Sequence, residues 1–495
     1  MEKQGKVLAI AVGFVMVLII LVAVALAYAG RDVSLLKDRT LHIAVNGYSM
    51  EIPLSEDGAT FDVPSLRVGN DNEFILINDA GANIEVDGAK LRTNRRTRVN
   101  VEKISESEVL ELTVASGKDT RTLYLRTRST LLPEMIATGQ GEGGGEYYVT
   151  AQDAPIVYRL DEGGNINWYI ALSEEQANGQ IFTDFEKTTF DNNRVRYSYQ
   201  MVNADAPRWG ISDYYPGTRM ILDEEFTEVD RDGARLSLLD DSAETLDPDV
   251  MGEPVDGHAF ELLGNNHWLT ASYEVASVDN VPDNLNPPAN GAKVVGCVIQ
   301  EVEDGEPVFT WRSTDYPELY ALSTAGNNYA GSTASPQDYL HLVDMAVDPS
   351  DNNIVLAFKN ANTIVKIDRE SGDILWMLSG NSDDFGLSDA QKTTSIASID
   401  MGENGELTVM DGNRVLTYTL DEENHKLSDF KAYSLSGYSA QGGSAQKIGE
   451  STYVISWGAC DGSQPAVTEI DFSNNDVHFE LVLPNGEGTW RVQKA

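Results

Sequence analysis

The chain has 495 residues and a formal net charge of −42, from 36 Lys and Arg against 78 Asp and Glu; that balance argues against nucleic-acid binding, which needs clustered cations to neutralise phosphate. A hydrophobic share of 41%, with 7 Trp, 20 Tyr and 14 Phe, excludes a disordered chain, and the length implies two to four compact units or one large repeat architecture beside a smaller unit. Two cysteines, Cys297 and Cys460, exclude a disulfide scaffold and a four-thiolate zinc site, and the sequence does not say whether they meet.

Residues Val7 to Ala29 carry no charge and are almost wholly apolar. As a helix the run reaches ~34 Å, enough for a hydrocarbon core of ~30 Å. Lys3 and Lys6 precede it, which puts the N-terminus in the cytoplasm and everything after Arg31 outside. Residues 1–30 are therefore expected to form a retained single-pass anchor in the cell membrane. The alternative is a signal peptide cleaved near Ala29, after Ala27-Tyr28-Ala29, although signal cores usually run to only ~7–15 residues. Either reading exports the rest of the chain.

Residues 31–130 read as a small β-sandwich. Leu41 to Val45 and Phe74 to Ile77 are short apolar strand candidates, and Val109 to Val114 and Thr122 to Arg126 alternate as half-buried strands do. Asp57-Gly58, Asp87-Gly88 and Ser116-Gly117 mark turns between them. The basic cluster Arg95, Arg96 and Arg98 is expected on a solvated strand face.

Residues 131–495 carry an internal repeat. A short aliphatic run ends in Asp or Glu, a turn follows, and then a strand closed by Trp or Phe. The copies are VYRLDEGGNINW, RMILDEEFTEVD, CVIQEVEDGEPVFTW, VKIDRESGDILW, YTLDEENHKLSDF and TEIDFSNNDVHF, anchored at Asp161, Asp223, Glu301, Asp368, Asp421 and Asp471. Each reads as a hairpin. A further strand pattern lies upstream of most copies, at His267 to Tyr273, Ile354 to Phe358, Leu407 to Met410 and Tyr453 to Trp457. Three or four strands in ~40–60 residues is the arithmetic of a propeller blade, so the fold class is all-β, a six-bladed β-propeller behind the small sandwich and the N-terminal helix.

In such a ring, function sits where equivalent positions of different repeats face the central channel. Two polar clusters occupy matched places ahead of an inner strand: Asp256-Gly257-His258 and Asp338-Tyr339-Leu340-His341. Both imidazoles, from a total of 6 His, are expected to face the axis. Lys359 follows the next strand and adds a cation to the same mouth. Asp256 and Tyr339 join them as substrate-binding candidates. No metal or cofactor is expected: the Asp-rich turn DPSDNN lacks the spaced ligands and glycine of a calcium loop.

These stretches resemble the bacterial aryl-sulfate sulfotransferases. The resemblance rests on DGHAFELL (Asp256 to Leu263), VIQEVEDGEPVFTW, DYLHLVDMAVDP (Asp338 to Pro349), KIDRESGDILWMLSG (Lys366 to Gly380) and the closing ISWGACDG…TEID…WRVQ. It implies an exported six-bladed propeller that moves a sulfuryl group from a phenolic sulfate to a phenolic acceptor without a nucleotide donor. It also implies a nucleophilic channel histidine that carries the group between the two phenols, with His258 and His341 matching two supporting histidines. The chain departs from the pattern at three points. The nucleophile position falls at or beside Ala397 in TTSIASID, the family arginine is replaced by Lys359, and an asparagine by Val343. Lysine keeps the charge and loses the planar fork.

Two functions follow. One is an enzyme of small-molecule aryl sulfates and phenols, with His258, His341 and Lys359 about the channel. Loss of the nucleophile then leaves the chemistry to another residue or to direct transfer; Ser395 and Ser398 flank the lost position, and His425 sits in an outer hairpin. The other is a catalytically inactive propeller that binds a small aryl or anionic ligand, or a protein partner.

Overall fold

The computed structural model describes residues 36–45, 48–63, 71–100, 110–126, 135–152, 154–172, 177–190, 193–203, 216–224, 226, 228–232, 255–332, 335–402, 404–434, 442–460, 464–483 and 488–495. The apolar run Val7 to Ala29 lies outside them. Among the described residues no helix is long and apolar enough to cross a membrane.

The chain divides into two compact units, one ending at Thr127 and the other running from Arg128 to Ala495. The N-terminal unit holds a four-stranded and a five-stranded sheet. The expected strands are there: Thr40–Val45, Asp71–Asn78, Leu110–Ser116 and Asp119–Arg126. Leu110, Leu112 and Val114 are buried in turn, the period of a strand with one face covered. Arg95, Arg96 and Arg98 are exposed.

The larger unit holds six sheets, counted among the described residues, each built on consecutive antiparallel strands, with the short Gln337–Asp338 added in parallel to the third. Every sequence repeat is the outer hairpin of one sheet. VKIDRESGDILW, for example, pairs Thr363–Ile367 with Ile374–Ser379. The anchoring aspartates make these turns: Asp161 Oδ1 accepts from the backbone N–H of Gly163 and Asn165, and Asp368 Oδ1 from Glu370 and Ser371. An Asx turn needs a short side chain with an acceptor oxygen at that place, which is why the motif recurs. Glu301 departs from this use; it pairs with His267 and Arg369 instead.

Ile354–Phe358 shows why the middle strands read as unbroken apolar runs. All five residues are buried. Ile354, Leu356 and Phe358 pack toward the third sheet, and Val355 and Ala357 toward the fifth. Tyr147 and Tyr148 likewise point into different cores, toward the sixth sheet and the second. The core is thus six wedges, each between two neighbouring sheets, and the wedge between sheets six and one completes the cycle. Two strand exchanges close it. Val492–Lys494 pairs with Tyr147–Thr150 of the first sheet, and Ile136–Gly139 pairs with Asp476–Val482 of the last.

One wedge floor carries a buried cation. Lys366 Nζ is fully enclosed, 2.7 Å from Asp348, 2.8 Å from Asp351 and 2.9 Å from Glu422. It binds the fourth sheet to the turn of the fifth, and its amine is held above the usual lysine range by those carboxylates despite its burial. Lys366→Ala leaves three carboxylates around a void. It is expected to destabilise the protein by about 3 kcal/mol, the low end for a broken buried pair because two partners are partly solvated. Urea unfolding of the variant against the parent measures it.

Candidate functional site

A cavity of about 370 Å³ opens along the inner strands of the larger unit. His258, Lys359, Ala397, Ser395, Trp490 and Arg491 are on its wall. Three irregular strands aim residues at it. The pairing of Gln180–Thr189 skips between Thr183 and Glu186, that of Leu342–Val347 skips Val343, and that of Ile396–Met401 skips Ala397. Asp184, Val343 and Ala397 sit at these bulges, and all three line the cavity. A bulge turns an extra side chain out of the ladder, a device that recurs beside active sites. Opposite them, Gly442 and Gly443 adopt positive φ, and a Cβ on Gly442 would run into the Trp490 ring.

The two expected histidines come together, their ring centroids 6.1 Å apart at 71°. His258 Nδ1 lies 3.0 Å from the buried Asp256 carboxylate, and His341 Nδ1 lies 2.6 Å from Asp338 Oδ2. Each carboxylate orients its ring and favours the proton on Nδ1, leaving Nε2 as the working nitrogen. His258 reaches the cavity; His341 sits behind it, buried, with backbone φ of 54°. His341 Nε2 is buried with no hydrogen-bond partner. The loop is held by the Lys359 N–H donating to His341 O and the Asn360 side chain donating to Asp338 O. Lys359 itself stands at the rim, exposed.

Tyr339 is placed elsewhere. It is fully buried, its hydroxyl 2.7 Å from Ser313 Oγ and its ring against Tyr320, so it packs the core and does not line the cavity. Asp256 is buried and does not line the cavity; its carboxylate meets His258 Nδ1. His425 is exposed on its outer hairpin, and Cys297, buried, and Cys460, half-buried, do not form a disulfide with each other.

The sequence did not single out the floor of the cavity. Arg491 reaches Asp184 at 3.3 Å, Glu186 at 3.2 Å and Asp344 at 3.1 Å. Asp344 also accepts from the backbone N–H of Ile399 and Met345, so one carboxylate ties three sheets together. Below lies Arg219, fully buried, paired with Asp184 and Ser198 and stacked on Phe260. Burial raises every carboxyl here. Arg219 and Arg491 overcome it at Asp184, which stays below the usual range, whereas Glu186 is pushed well above it by burial and the neighbouring Asp184 charge. The only hint in the sequence was an arginine in the closing TWRV pattern, next to the strand that completes the ring.

The family model for arylsulfotransferases (ASST) matches residues 109–410, more than half of the chain. The chain belongs to the arylsulfotransferase family. That match includes His258, His341, Lys359 and Ala397, and stops short of Trp490 and Arg491. No curated protein matches the chain. Among solved structures it is similar to a Bacteroides caccae protein of unknown function, at 12% identity and TM-score 0.41 over 71% of this chain and 99% of that one. It is also similar to a functionally unknown protein from Desulfotomaculum acetoxidans, at 11% identity and TM-score 0.38 over 78% and 95%. A β-propeller domain from Myceliophteria thermophila gives 9% identity and TM-score 0.34 over 69% and 88%.

For this arylsulfotransferase-family chain, Arg491→Met is expected to cost about 3–5 kcal/mol at pH 7, because it strands buried carboxylates. The loss should shrink toward pH 5. Without Arg491 those carboxyls hold their protons more tightly folded than unfolded, so falling pH favours the folded variant. Urea unfolding of variant and parent at both pH values reads the difference.

Proposed function

We propose that the chain is an exported sulfotransferase that moves a sulfuryl group from a phenolic sulfate ester to a phenolic acceptor, with no nucleotide donor. In this reading the six sheets are the blades of a closed six-bladed propeller, the run from Val7 to Ala29 holds the chain at the cell membrane, and the cavity takes the aryl sulfate. The observation that carries it is His258, fixed by Asp256 and presented to the cavity whose rim holds Lys359. A volume of about 370 Å³ suits one substituted phenyl ring with its sulfate, and Trp490 offers that ring an aromatic wall.

The methyl of Ala397 cannot carry a sulfuryl group, so transfer is direct. The acceptor hydroxyl gives its proton to His258 Nε2 while its oxygen bonds to sulfur. The bond from sulfur to the donor phenol oxygen breaks, and Lys359 offsets the charge on the departing phenolate. The proton then passes from His258 to that phenolate, and the site is restored. The same Ala397 favours a second reading, a cavity that holds an aryl sulfate and does not turn it over.

With p-nitrophenyl sulfate, release of p-nitrophenol should depend on added phenol and show no burst. His258→Ala should slow it by about 100-fold or more, the usual contribution of a general base. Ala397→His should introduce a burst of one equivalent. Absence of turnover in the parent, with thermal stabilisation by the ester that disappears in His258→Ala, selects the binding reading instead.

A further inference from the structure

Arg491 is the wall between two spaces. Beyond it lies a second cavity of about 320 Å³, which shares Ser398, Ser444 and Arg491 with the first. Along the inner strands the lining moves on by about three residues, from Asp184 to Lys187, from Asp344 to Val347 and from Ala397 to Asp400. At ~3.3 Å per residue that is roughly 10 Å further down the same axis. The chemistry changes with the step. Beside Asp184 and Asp344, the first cavity presents imidazole, indole and ammonium; the second presents three carboxylates, Glu186, Glu261 and Asp400, against one ammonium, Lys187, among the side chains of Gln446, Gln493 and Thr188.

The charges of the second cavity do not balance. Arg491 is engaged by Asp184, Glu186 and Asp344, and Arg219 by Asp184 and Glu186. Among the described residues Glu261 and Asp400 have no ion pair; Asp400 accepts one backbone hydrogen bond, from Lys447 at 3.2 Å. A second, separate feature lies in the same wall: Ser398 is 95% buried, and its hydroxyl has no partner. A buried hydroxyl without a partner is rare, and a ligand in the cavity would satisfy it. Partly desolvated carboxylates without a counter-ion, set among amides and hydroxyls, fit a compact cation that donates several hydrogen bonds. A bare metal ion suits the site poorly. The space is much larger than one ion, and the described residues contain no group of three or more His, Cys, Asp or Glu arranged to hold a metal.

We propose that this second cavity binds a small organic ammonium ion, held by Glu261 and Asp400 with Ser398 accepting from the same group. The site is separate from the aryl-sulfate cavity, and the proposal stands whether or not sulfuryl transfer occurs. Its empty state is protonated in part. Burial lifts the Glu261 carboxyl to about 8 against the pull of Arg491, with Asp344 and Asp184 adding to the rise. Burial likewise lifts Asp400 to about 6, opposed by the Lys447 N–H and Arg491 and aided by Asp344 and Glu406. Glu186, Lys187 and Arg219 are the other charged groups facing this cluster. An ammonium ion entering at pH 7 therefore displaces protons.

Isothermal titration of the full-length protein in mild detergent with butane-1,4-diammonium, at pH 7 and constant ionic strength, tests the proposal. Saturable binding is expected, with a heat that varies with the ionisation enthalpy of the buffer as protons leave the protein. Glu261→Gln and Asp400→Asn should each weaken it about tenfold, the worth of one charge-assisted hydrogen bond. His258→Ala should leave the affinity within about twofold, as an independent site does. No saturable heat, no buffer dependence, an unchanged affinity in both carboxamide variants, or a stronger response to calcium chloride than to the diammonium would each overturn it. Both substitutions keep the side-chain shape. Should one variant fail to fold, the buffer dependence of the parent and the other variant decide.

Discussion

The larger unit depends on a requirement that no sheet meets by itself: both faces must be covered. Ile354–Phe358 is apolar at every position because odd and even residues serve different wedges. A sheet of this kind is stable only between two others, and a row of such sheets has two uncovered ends unless it closes. Closure rests on Val492–Lys494 against Tyr147–Thr150, a pairing between residues more than three hundred positions apart. Trp490 and Arg491 inherit their position at the site from that pairing, since they immediately precede the closing strand.

The outer hairpins were legible in the sequence because local chemistry sets them. An aspartate that caps its own turn, as at Asp161 and Asp368, leaves the same mark wherever it occurs. The buried middle strands were legible for a related reason, as short apolar runs bounded by turns. His258 and His341 were found because two repeats place them at matched positions. The bulges at Asp184, Val343 and Ala397 leave no such mark: a skipped residue in a ladder is a property of the pair of strands, and either strand alone looks regular. Arg491 was invisible as an axial residue for a similar reason. Its partners Asp184, Glu186 and Asp344 come from two other sheets. Tyr339 shows the converse error, since proximity in sequence to a site histidine says nothing of which way a neighbour points; its hydroxyl is taken up by Ser313.

A chain of net charge −42 repels anions on average. The described interior counters this locally. His258 and Lys359 stand on the wall of the first cavity, while the second holds the carboxylates Glu186, Glu261 and Asp400 with one lysine, Lys187, and Arg491 lies between. Asp184, Glu186 and Asp344 engage Arg491 in the middle, so its guanidinium is held within the fold by three carboxylates.

The closing strand has a consequence for biogenesis. Tyr147–Thr150 is made more than three hundred residues before its partner Val492–Lys494. Until that partner is made, one edge of the first sheet has open hydrogen-bonding groups, and Tyr147 lacks the sixth sheet it packs against. Such an edge invites pairing with a neighbouring nascent chain. For as long as the intervening sheets take to be made, the first sheet waits on the arrival of Val492–Lys494 to cover its open edge.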